Sequence, residues 1–160
     1  LKNKGGDTLA FLEEQKQVSR ENGRTPMQWD NTENSGFTTG MPWLKVNPNY
    51  NEINVKKQEQ DPESILNYFR KTVQLRKNNL VLVYGKYSLL DKENPDVFAY
   101  LRELDGKRVL VLLNFTDKNT SYNLNLKLGK YEVLLNNYND TTKIKNNTLR
   151  PYESLVIAIE

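Results

Sequence analysis

An aspartate–glycine pair at 105–106 separates two long apolar segments and constrains the fold of this chain more than any other feature. VFAYLREL precedes the pair and RVLVLLNF follows it. A two-residue loop of this composition is typical of a β-hairpin, because glycine and aspartate tolerate the positive φ angles of such turns. RVLVLLNF is apolar throughout, which favours a central strand buried on both faces. The sequence therefore predicts an antiparallel sheet built around this hairpin.

Further segments of the C-terminal half also have strand patterns. YNLNLKL alternates strictly, so that its Tyr and Leu side chains are predicted to lie on one face and its Asn and Lys side chains on the other. KYEVLL and ESLVIAIE supply two more candidate strands. Short strands joined by polar turns are typical of a β-sandwich. We therefore expect residues 80–160 to form an antiparallel β-sandwich domain.

Two helices are predicted before the sheet. Asp7 is a suitable N-cap for TLAFLEEQKQV. Asp61 and Pro62 have the residue types preferred at the N-cap and the first position of a second helix, over 62–78, with a wide apolar face. Because helices come first and strands follow without βαβ alternation, the predicted fold class is α+β.

The stretch between these helices has little periodicity. Residues 22–60 contain three prolines, several asparagines and the large apolar residues Trp29, Phe37 and Trp43. An irregular stretch of this length inside a compact domain usually indicates a functional loop or a surface that packs on something else. We expect residues 1–60 to be poorly ordered, or to depend on a partner surface, when they are separated from that partner.

The composition excludes several kinds of chemistry. The chain has no His and no Cys, so Ser-His-Asp and Cys-His catalysis, disulfides and His- or Cys-ligated metals are impossible within it. No Asp-rich loop indicates calcium, and we predict neither a metal nor a cofactor. The net charge of +3 is not clustered, which argues against a nucleic-acid partner. No apolar run reaches transmembrane length and no signal peptide is visible, so no membrane partner is predicted.

The segment SRENGRTPMQWD, residues 19–30, is the candidate functional site. Arg20 and Arg24 lie on either side of Asn22-Gly23, where a helix is predicted to end. An arginine at this place can offer its planar fork to hydroxyls or carboxylates. The alternative is a structural ion pair that fixes the long loop, and the residues alone favour this alternative.

From Ser19 onward the sequence resembles one enzyme family. RTPMQWD, the pattern GFTTG.PWL.VNPNY..INV, the pattern LRK....L.YG.Y, then NFT and LRPYES.V all occur in register. They closely resemble the C-terminal third of the oligo-1,6-glucosidase-like α-glucosidases of the α-amylase family, glycoside hydrolase family 13. The resemblance covers nearly the whole chain, and the motifs that carry it begin after residue 17.

This resemblance implies an architecture. Such enzymes have a TIM-type barrel followed by a C-terminal antiparallel β-sandwich. Residues 1–79 would be the terminal part of the barrel, comprising a helix, a rim loop and the last barrel helix, and residues 80–160 would be the sandwich. Active sites of such barrels lie at the C-terminal rim of the strands. The chain starts without Met, and we expect it to be a piece of a longer protein whose upstream barrel is its partner.

The resemblance also implies which functional residues are present. The nucleophilic Asp, the acid/base Glu and the stabilising Asp of the family lie upstream, so no catalytic residue is predicted here. Arg20 matches the arginine of the family motif SRDN, which helps to hold the terminal glucose of an oligosaccharide substrate. Glu21, which is one methylene longer, stands where the family usually has Asp. Arg24 and Trp29 match structural positions.

The implied reaction is release of glucose from the non-reducing ends of α-1,6-linked oligosaccharides by a cytoplasmic enzyme. The absence of Cys agrees with a reducing compartment. Relatives with the same tail hydrolyse trehalose 6-phosphate, cleave α-1,4 links or isomerise sucrose, and this part of the sequence does not separate them. A non-catalytic, carbohydrate-binding β-sandwich is the alternative from another class.

Overall fold

The computed structural model describes residues 7–126, 128–138, 140 and 147–160. The chain divides into two compact units, Leu1–Asn67 and Tyr68–Glu160. The helices in the described residues are α1 (Thr8–Val18), α2 (Val55–Gln60), α3 (Ile65–Asn78) and α4 (Leu80–Tyr84), with 3₁₀ helices at Arg20–Gly23, Glu33–Gly36 and Pro48–Asn51. The strands are β1 (Lys86–Leu90), β2 (Val97–Leu104), β3 (Lys107–Asn114), β4 (Thr120–Ser121), β5 (Tyr131–Asn136), β6 (Thr148–Leu149) and β7 (Ser154–Ile159).

Helix α1 has the bounds and the cap that the sequence predicts. The Asp7 carboxylate accepts hydrogen bonds from the backbone N–H groups of Leu9, at 2.9 Å, and Ala10, at 3.1 Å. These are two of the N–H groups that a helix leaves without an internal partner at its start. The helix buries none of its side chains within the chain.

Helix α3 begins three residues later than predicted. Asp61 accepts a hydrogen bond from the Glu63 N–H at 2.9 Å, so it closes a turn and does not cap the helix. Ser64 caps it instead, because its Oγ accepts from the Asn67 N–H at 3.2 Å and also donates to the Gln58 carbonyl at 2.6 Å. A tertiary bond to the preceding segment therefore decides the start of this helix.

The long aperiodic stretch also contains a helix that the sequence did not indicate. Asn54 makes α2 possible: its Oδ1 accepts from the Lys57 N–H at 2.9 Å and its Nδ2 donates to the Tyr50 carbonyl at 2.8 Å. Asn54 is 2% exposed, so this cap is fixed within the first unit. Asparagine is among the preferred N-cap residues. Asn54 was therefore the sequence signal for the start of α2, which apolar periodicity did not indicate.

Residues 80–84, at the start of the segment 80–160 that we expect to form the sheet domain, are helical and not part of a strand. Asn79 accepts a hydrogen bond from the Val81 N–H at 3.0 Å and caps the short helix α4, in which Val81 is buried. Strand β1 follows only after Gly85. An apolar run of five residues does not distinguish a strand from a buried helical turn, and here the Asn cap decides.

Gly85 is required where α4 passes into β1. A Cβ atom at this position would collide with the Val81 carbonyl oxygen and would lie 3.0 Å from the Glu103 carbonyl oxygen. Backbone atoms cannot yield as a flexible side chain can. We expect Gly85→Ala to lower the free energy of unfolding by about 2 kcal/mol, in the range found for overpacked sites. Urea denaturation followed by circular dichroism measures this.

Gly129→Ala is the matched control for this substitution. A Cβ atom at Gly129 meets nothing within 4 Å, and this variant should stay within about 0.5 kcal/mol of the wild type. Equal stability of the two variants would contradict the close approach at Gly85.

The second unit is organised around one antiparallel sheet of strand order β1-β2-β3-β7-β5. The predicted hairpin is confirmed: β2 pairs with β3 in full register, and Leu104 and Lys107 are the last pair before the turn. Asp105 and Gly106 have φ angles of 50° and 75°, the left-handed values that a two-residue hairpin of this kind needs.

Strand β3 is buried on both faces, as its continuous apolar sequence predicts. Leu110 and Leu112 enter one hydrophobic cluster, and Val109 and Val111 enter a second cluster on the opposite face. Because β3 lies between β2 and β7, its neighbours cover both edges as well as both faces. The centre of the core therefore lies at this strand.

The segment YNLNLKL buries the predicted face without forming the predicted strand. Tyr122 and Leu124 are 4% and 7% exposed, and Leu126 and Leu128 pack against the same cluster. The backbone leaves extended geometry at Asn125, whose φ angle is 49°, and no sheet ladder forms among its described residues. Lys127 lies outside the described residues. Alternation of apolar and polar residues indicates which side chains are buried, whereas a sheet ladder also needs hydrogen bonds to a neighbouring strand.

The second layer is completed by a small ribbon, in which β4 pairs with β6. Together with the segment after β4, this ribbon covers the face of the large sheet that carries Leu110 and Leu112. The second unit is thus an antiparallel β-sandwich of unequal layers, and with the preceding helices the fold class is α+β, as predicted.

An ion pair between a half-buried arginine and a buried carboxylate fixes the loop between β6 and β7. Arg150 Nη2 lies 2.6 Å from an oxygen of Glu153, whose side chain is 4% exposed, and the guanidinium also contacts Asp140 at 2.7 Å. The same guanidinium lies 3.7 Å from the centre of the Tyr138 ring. The Glu153 hydrogen bond, followed by the Asp140 bond, raises the pKa of Arg150 above its ordinary value. The cation and the loop are therefore held together.

Asn114 connects this loop to the end of β3. Its N–H donates to the Glu153 carbonyl at 2.9 Å, and its Nδ2 donates to the Arg150 carbonyl at 2.8 Å. Its Oδ1 accepts from the Thr116 N–H at 2.9 Å. Asn114 is 4% exposed, so the motif NFT begins with a structural residue of the sandwich.

Tyr122 carries a buried hydroxyl that has no hydrogen-bond partner among the described residues. Burial, then the nearby Tyr131 and Glu153, raises the pKa of Tyr122 to about 12. The folded state holds the phenol proton more tightly than the unfolded state, whose Tyr122 has the ordinary pKa of about 10. This proton-linked contribution to the free energy of unfolding is complete below pH 10 and is lost as the pH rises towards 12. We expect Tyr122→Phe to be about 1 kcal/mol more stable than the wild type at pH 7.

Urea denaturation between pH 7 and pH 11.5 checks both parts of this expectation. The wild type should lose stability above pH 10 more steeply than Tyr122→Phe. Tyr84→Phe is the control, because its ring is 73% exposed and its removal should leave the wild-type profile. A less stable Tyr122→Phe would show that the hydroxyl has a partner.

Candidate functional site

Ser19 sets the direction in which the candidate segment leaves helix α1. Its N–H donates to the Gln15 carbonyl at 3.0 Å and closes the last turn of that helix. Its φ and ψ angles of −66° and 123° are extended, and its Oγ accepts from the Glu21 N–H at 3.4 Å. One residue therefore ends α1 and caps the 3₁₀ helix Arg20–Gly23.

The structure brings Arg20 and Arg24 together through Glu21. Arg20 Nε and Arg24 Nη1 lie 3.2 and 3.4 Å from the same oxygen, Glu21 Oε1. The other oxygen, Glu21 Oε2, is buried without a hydrogen-bond partner among the described residues. The sequence pattern indicated both arginines but did not indicate Glu21 as their shared partner. The signal was a carboxylate placed between two arginines.

The ion pair leaves most of the Arg20 guanidinium available. The Arg20 side chain is 79% exposed and contacts Glu21 through Nε alone. Exposed pairs of this kind contribute about 0–1 kcal/mol, so the pair orients the arginine without engaging it fully. The two Nη groups can still donate to a ligand, with Glu21 fixing the direction of the side chain.

Gln28 and Trp29 tie the two ends of the long loop. Gln28 Nε2 donates to the Ile53 carbonyl at 2.5 Å, and the Gln28 carbonyl accepts from the Val55 N–H at 2.9 Å. The Trp29 carbonyl accepts from the Lys56 N–H at 3.0 Å. These bonds join residues about 25 positions apart, so the loop is fixed within the first unit.

A tight turn completes this loop around Ser35. The Ser35 carbonyl accepts from the N–H groups of Trp29 and Asp30, and the Ser35 hydroxyl donates to the Met27 carbonyl at 3.2 Å. Ser35 is fully buried and has a φ angle of 56°. Hydrogen bonds from Thr32 hold the pKa of the Asp30 carboxyl below its usual value. The left-handed backbone conformation of Ser35 is therefore held by several local hydrogen bonds, as is usual where the surrounding structure fixes a strained residue.

Large apolar side chains of this loop are exposed. Trp43 and Met41 are 73% and 97% exposed, and Trp29 is 50% exposed. In the same unit, Ile65 at the start of α3 is 83% exposed. Large apolar side chains left uncovered within one unit are typical of an interaction surface. A fixed loop backbone with uncovered apolar side chains is therefore typical of a surface that packs on something else.

No group of three or more acidic side chains in the described part of the chain is arranged to hold a metal ion. No helix within the described ranges is both long and apolar enough to cross a membrane.

Family models match both parts of the chain. The α-amylase catalytic domain matches residues 1–85. The C-terminal domain of the α-amylase SusG matches residues 97–156.

Several curated enzymes are similar to the chain over most of its length. The oligo-1,6-glucosidase of Bacillus cereus is 46% identical over 144 residues, which cover 88% of this chain and 26% of that enzyme. The oligo-1,6-glucosidase of Parageobacillus thermoglucosidasius is 40% identical over 97% of this chain and 28% of its own length. The trehalose-6-phosphate hydrolase of Bacillus subtilis is 43% identical over 86% of this chain and 25% of its own length. The chain thus spans about a quarter of the curated relatives that it matches.

Solved structures give the same result for the fold. The trehalose-6-phosphate hydrolase of Bacillus licheniformis aligns with a TM-score of 0.89 at 35% identity, over 99% of this chain and 29% of that enzyme. The isomaltulose synthase of Klebsiella sp. LX3 aligns with a TM-score of 0.87 at 35% identity, over 99% of this chain and 29% of that enzyme.

Proposed function

Because the chain belongs to the α-amylase family, we propose that it is the C-terminal part of a retaining α-glucosidase that releases glucose from the non-reducing ends of α-1,6-linked oligosaccharides. The observation that carries this proposal is the 46% identity to an oligo-1,6-glucosidase over 88% of the chain. The chemistry would be that of two carboxylates, a nucleophile and an acid/base, both supplied by a barrel upstream of Leu1.

In this proposal residues 1–79 are the terminal part of the barrel and residues 80–160 are the sandwich domain. The two family matches, which end at 85 and begin at 97, support a junction that follows helix α3. The uncovered apolar side chains of the rim loop would pack against the upstream barrel. The sandwich would stabilise the barrel and take no part in the reaction.

Arg20 is the proposed substrate-binding residue of this chain. Its exposed Nη groups would donate to hydroxyls of the terminal glucose, while Glu21 orients the side chain through Nε. A guanidinium fork that binds the terminal sugar favours exo-action, because the polymer can extend in one direction alone. The parent enzyme would work in the cytoplasm, in agreement with the absence of Cys.

Hydrolysis of trehalose 6-phosphate is the second candidate activity of the parent enzyme. It is favoured by the 43% identity to a hydrolase of that substrate and by the aligned solved structure. An α-1,4-glucosidase, a sucrose isomerase and a separate carbohydrate-binding sandwich are the remaining candidates. The linkage specificity would depend on residues upstream of this chain.

The reading frame upstream of Leu1 tests the proposal directly. We expect it to continue through a barrel that carries the catalytic carboxylates, and the expressed full-length protein to hydrolyse isomaltose faster than maltose or trehalose 6-phosphate. An initiator codon immediately before Leu1 would exclude the proposal. Preference for trehalose 6-phosphate would favour the second candidate.

The isolated chain distinguishes a barrel fragment from a separate sugar-binding module. Titration with isomaltose and maltose by isothermal calorimetry should give no detectable heat of binding. Micromolar binding to either sugar would favour the module, because such a site must then be complete within residues 1–160.

A further inference from the structure

A cavity of about 260 Å³ lies entirely within the second unit, between helices α3 and α4 and one face of the sheet. Its walls are mostly apolar, and the side chains come from both helices and from strands β2, β3, β5 and β7. The volume equals that of about eight or nine water molecules at about 30 Å³ each. It is therefore large enough for a small organic molecule with a single ring.

The charged side chains that line this cavity are positive. Arg76 and Arg102 line it, and no carboxylate does so in the part of the chain that the structure describes. Arg76 Nη1 donates to the Leu82 carbonyl and Arg102 Nη2 donates to the Val83 carbonyl at 3.2 Å. Carbonyl partners orient the guanidinium groups but leave their charges uncompensated.

Arg102 also has a donor without an acceptor. Its Nε is buried and has no hydrogen-bond partner among the described residues. A buried unpaired donor on a charged group is unfavourable, and an anion beside this guanidinium would compensate its charge. Tyr100 lies beside it, and burial raises the pKa of Tyr100, so its hydroxyl stays a neutral donor.

From this combination we propose that the cavity binds a small organic carboxylate with an apolar ring or chain. The carboxylate pairs with the Arg102 guanidinium, and the apolar body fills the space between α3 and the sheet. Ligand pockets commonly combine apolar walls with a few convergent polar groups in this manner. The site does not include Arg20 and does not depend on the proposed glucosidase activity.

Benzoate is the probe for this site, and benzyl alcohol is its neutral counterpart of the same size. In titrations of the ¹⁵N-labelled 160-residue chain, benzoate should move the Arg102 Nε–Hε resonance and the amide signals of Leu82 and Val111. We expect a Kd of about 1 mM, consistent with nine non-hydrogen atoms of a small ligand. Benzyl alcohol should bind at least about 10-fold more weakly, because it lacks the charge.

Two variants and one control make the assignment specific. Arg102→Gln should weaken benzoate at least about 10-fold, and Val111→Phe should abolish its binding by filling the cavity. Arg108→Gln removes an arginine that donates to the Glu160 carbonyl and does not line this cavity, so it should leave the Kd unchanged. The comparison of benzoate with benzyl alcohol needs no variant and stays informative if a variant fails to fold.

Three results would overturn the proposal. They are equal affinity for benzoate and benzyl alcohol, an unchanged benzoate Kd in folded Arg102→Gln, and equal weakening by Arg102→Gln and Arg108→Gln. None of them would affect the family assignment or the role proposed for Arg20.

Discussion

Arg20→Ala in the full-length enzyme should lower kcat/KM for isomaltose about 30- to 150-fold. The reason is the loss of charge-assisted hydrogen bonds to the terminal glucose, worth about 2–3 kcal/mol. Arg20→Lys should fall between the wild type and the alanine variant, because it keeps the charge and loses the planar fork. Steady-state kinetics with isomaltose and an aryl α-glucoside measures these effects.

Arg24→Ala is the matched control for Arg20. Arg24 contacts the same Glu21 oxygen at a similar distance and is assigned no contact with sugar. Its removal should change kcat/KM less than about threefold, as expected for an exposed ion pair. Wild-type kinetics in Arg20→Ala would refute the substrate role. Equal losses in both variants, with equal falls in Tm, would assign both arginines to structure.

Arg150→Met should destabilise the β-sandwich by about 3 kcal/mol. It leaves the Glu153 carboxylate, 4% exposed, without the guanidinium that pairs with it at 2.6 Å. Removal of one partner from a buried pair is costly because the remaining charge cannot be solvated. The loop that Asn114 connects to β3 would lose its anchor as well. Urea denaturation followed by the circular dichroism of the β-sheet measures the difference in free energy of unfolding between the variant and the wild type.

An exposed pair of similar length provides the control for burial. Lys16 and Glu13 lie 2.5 Å apart with side chains 67% and 70% exposed, and Lys16→Met should cost less than about 0.5 kcal/mol. The double variant Arg150→Met/Glu153→Leu should recover part of the lost stability, since it removes the unpaired charge. A loss below 1 kcal/mol in Arg150→Met would show that the buried pair is not the anchor.

Local patterns were sufficient for those elements whose signals lie within a few residues. Asp7 caps α1, and Asp105 and Gly106 close the hairpin, because each acts on its immediate neighbours. The start of α3 was predicted three residues too early and helix α4 was not predicted, because the caps Ser64 and Asn79 compete with stronger apparent signals nearby. At such places the tertiary partner of one side chain decides between two plausible caps.

The candidate site shows the same limit. Sequence alone placed Arg20 and Arg24 four residues apart and suggested an ion pair between one of them and some carboxylate. The shared contact with Glu21 Oε1 depends on the 3₁₀ turn that Ser19 caps, and a list of residues does not contain that turn. The cavity beside Arg102 was not predicted at all, since it joins residues from two helices and four strands.

By itself the sequence determined the α+β order, the hairpin at 105–106, the central position of β3 and the family resemblance. Each depends on apolar periodicity or on a run of residues that match a family, and both are visible along the linear sequence. The tertiary structure decided that the described part of YNLNLKL packs without a ladder, that Arg150 is paired with a buried Glu153, and that Arg102 lines a cavity without a carboxylate among the described residues. These depend on which distant groups meet, and burial then sets the energy of each charge and hydrogen bond.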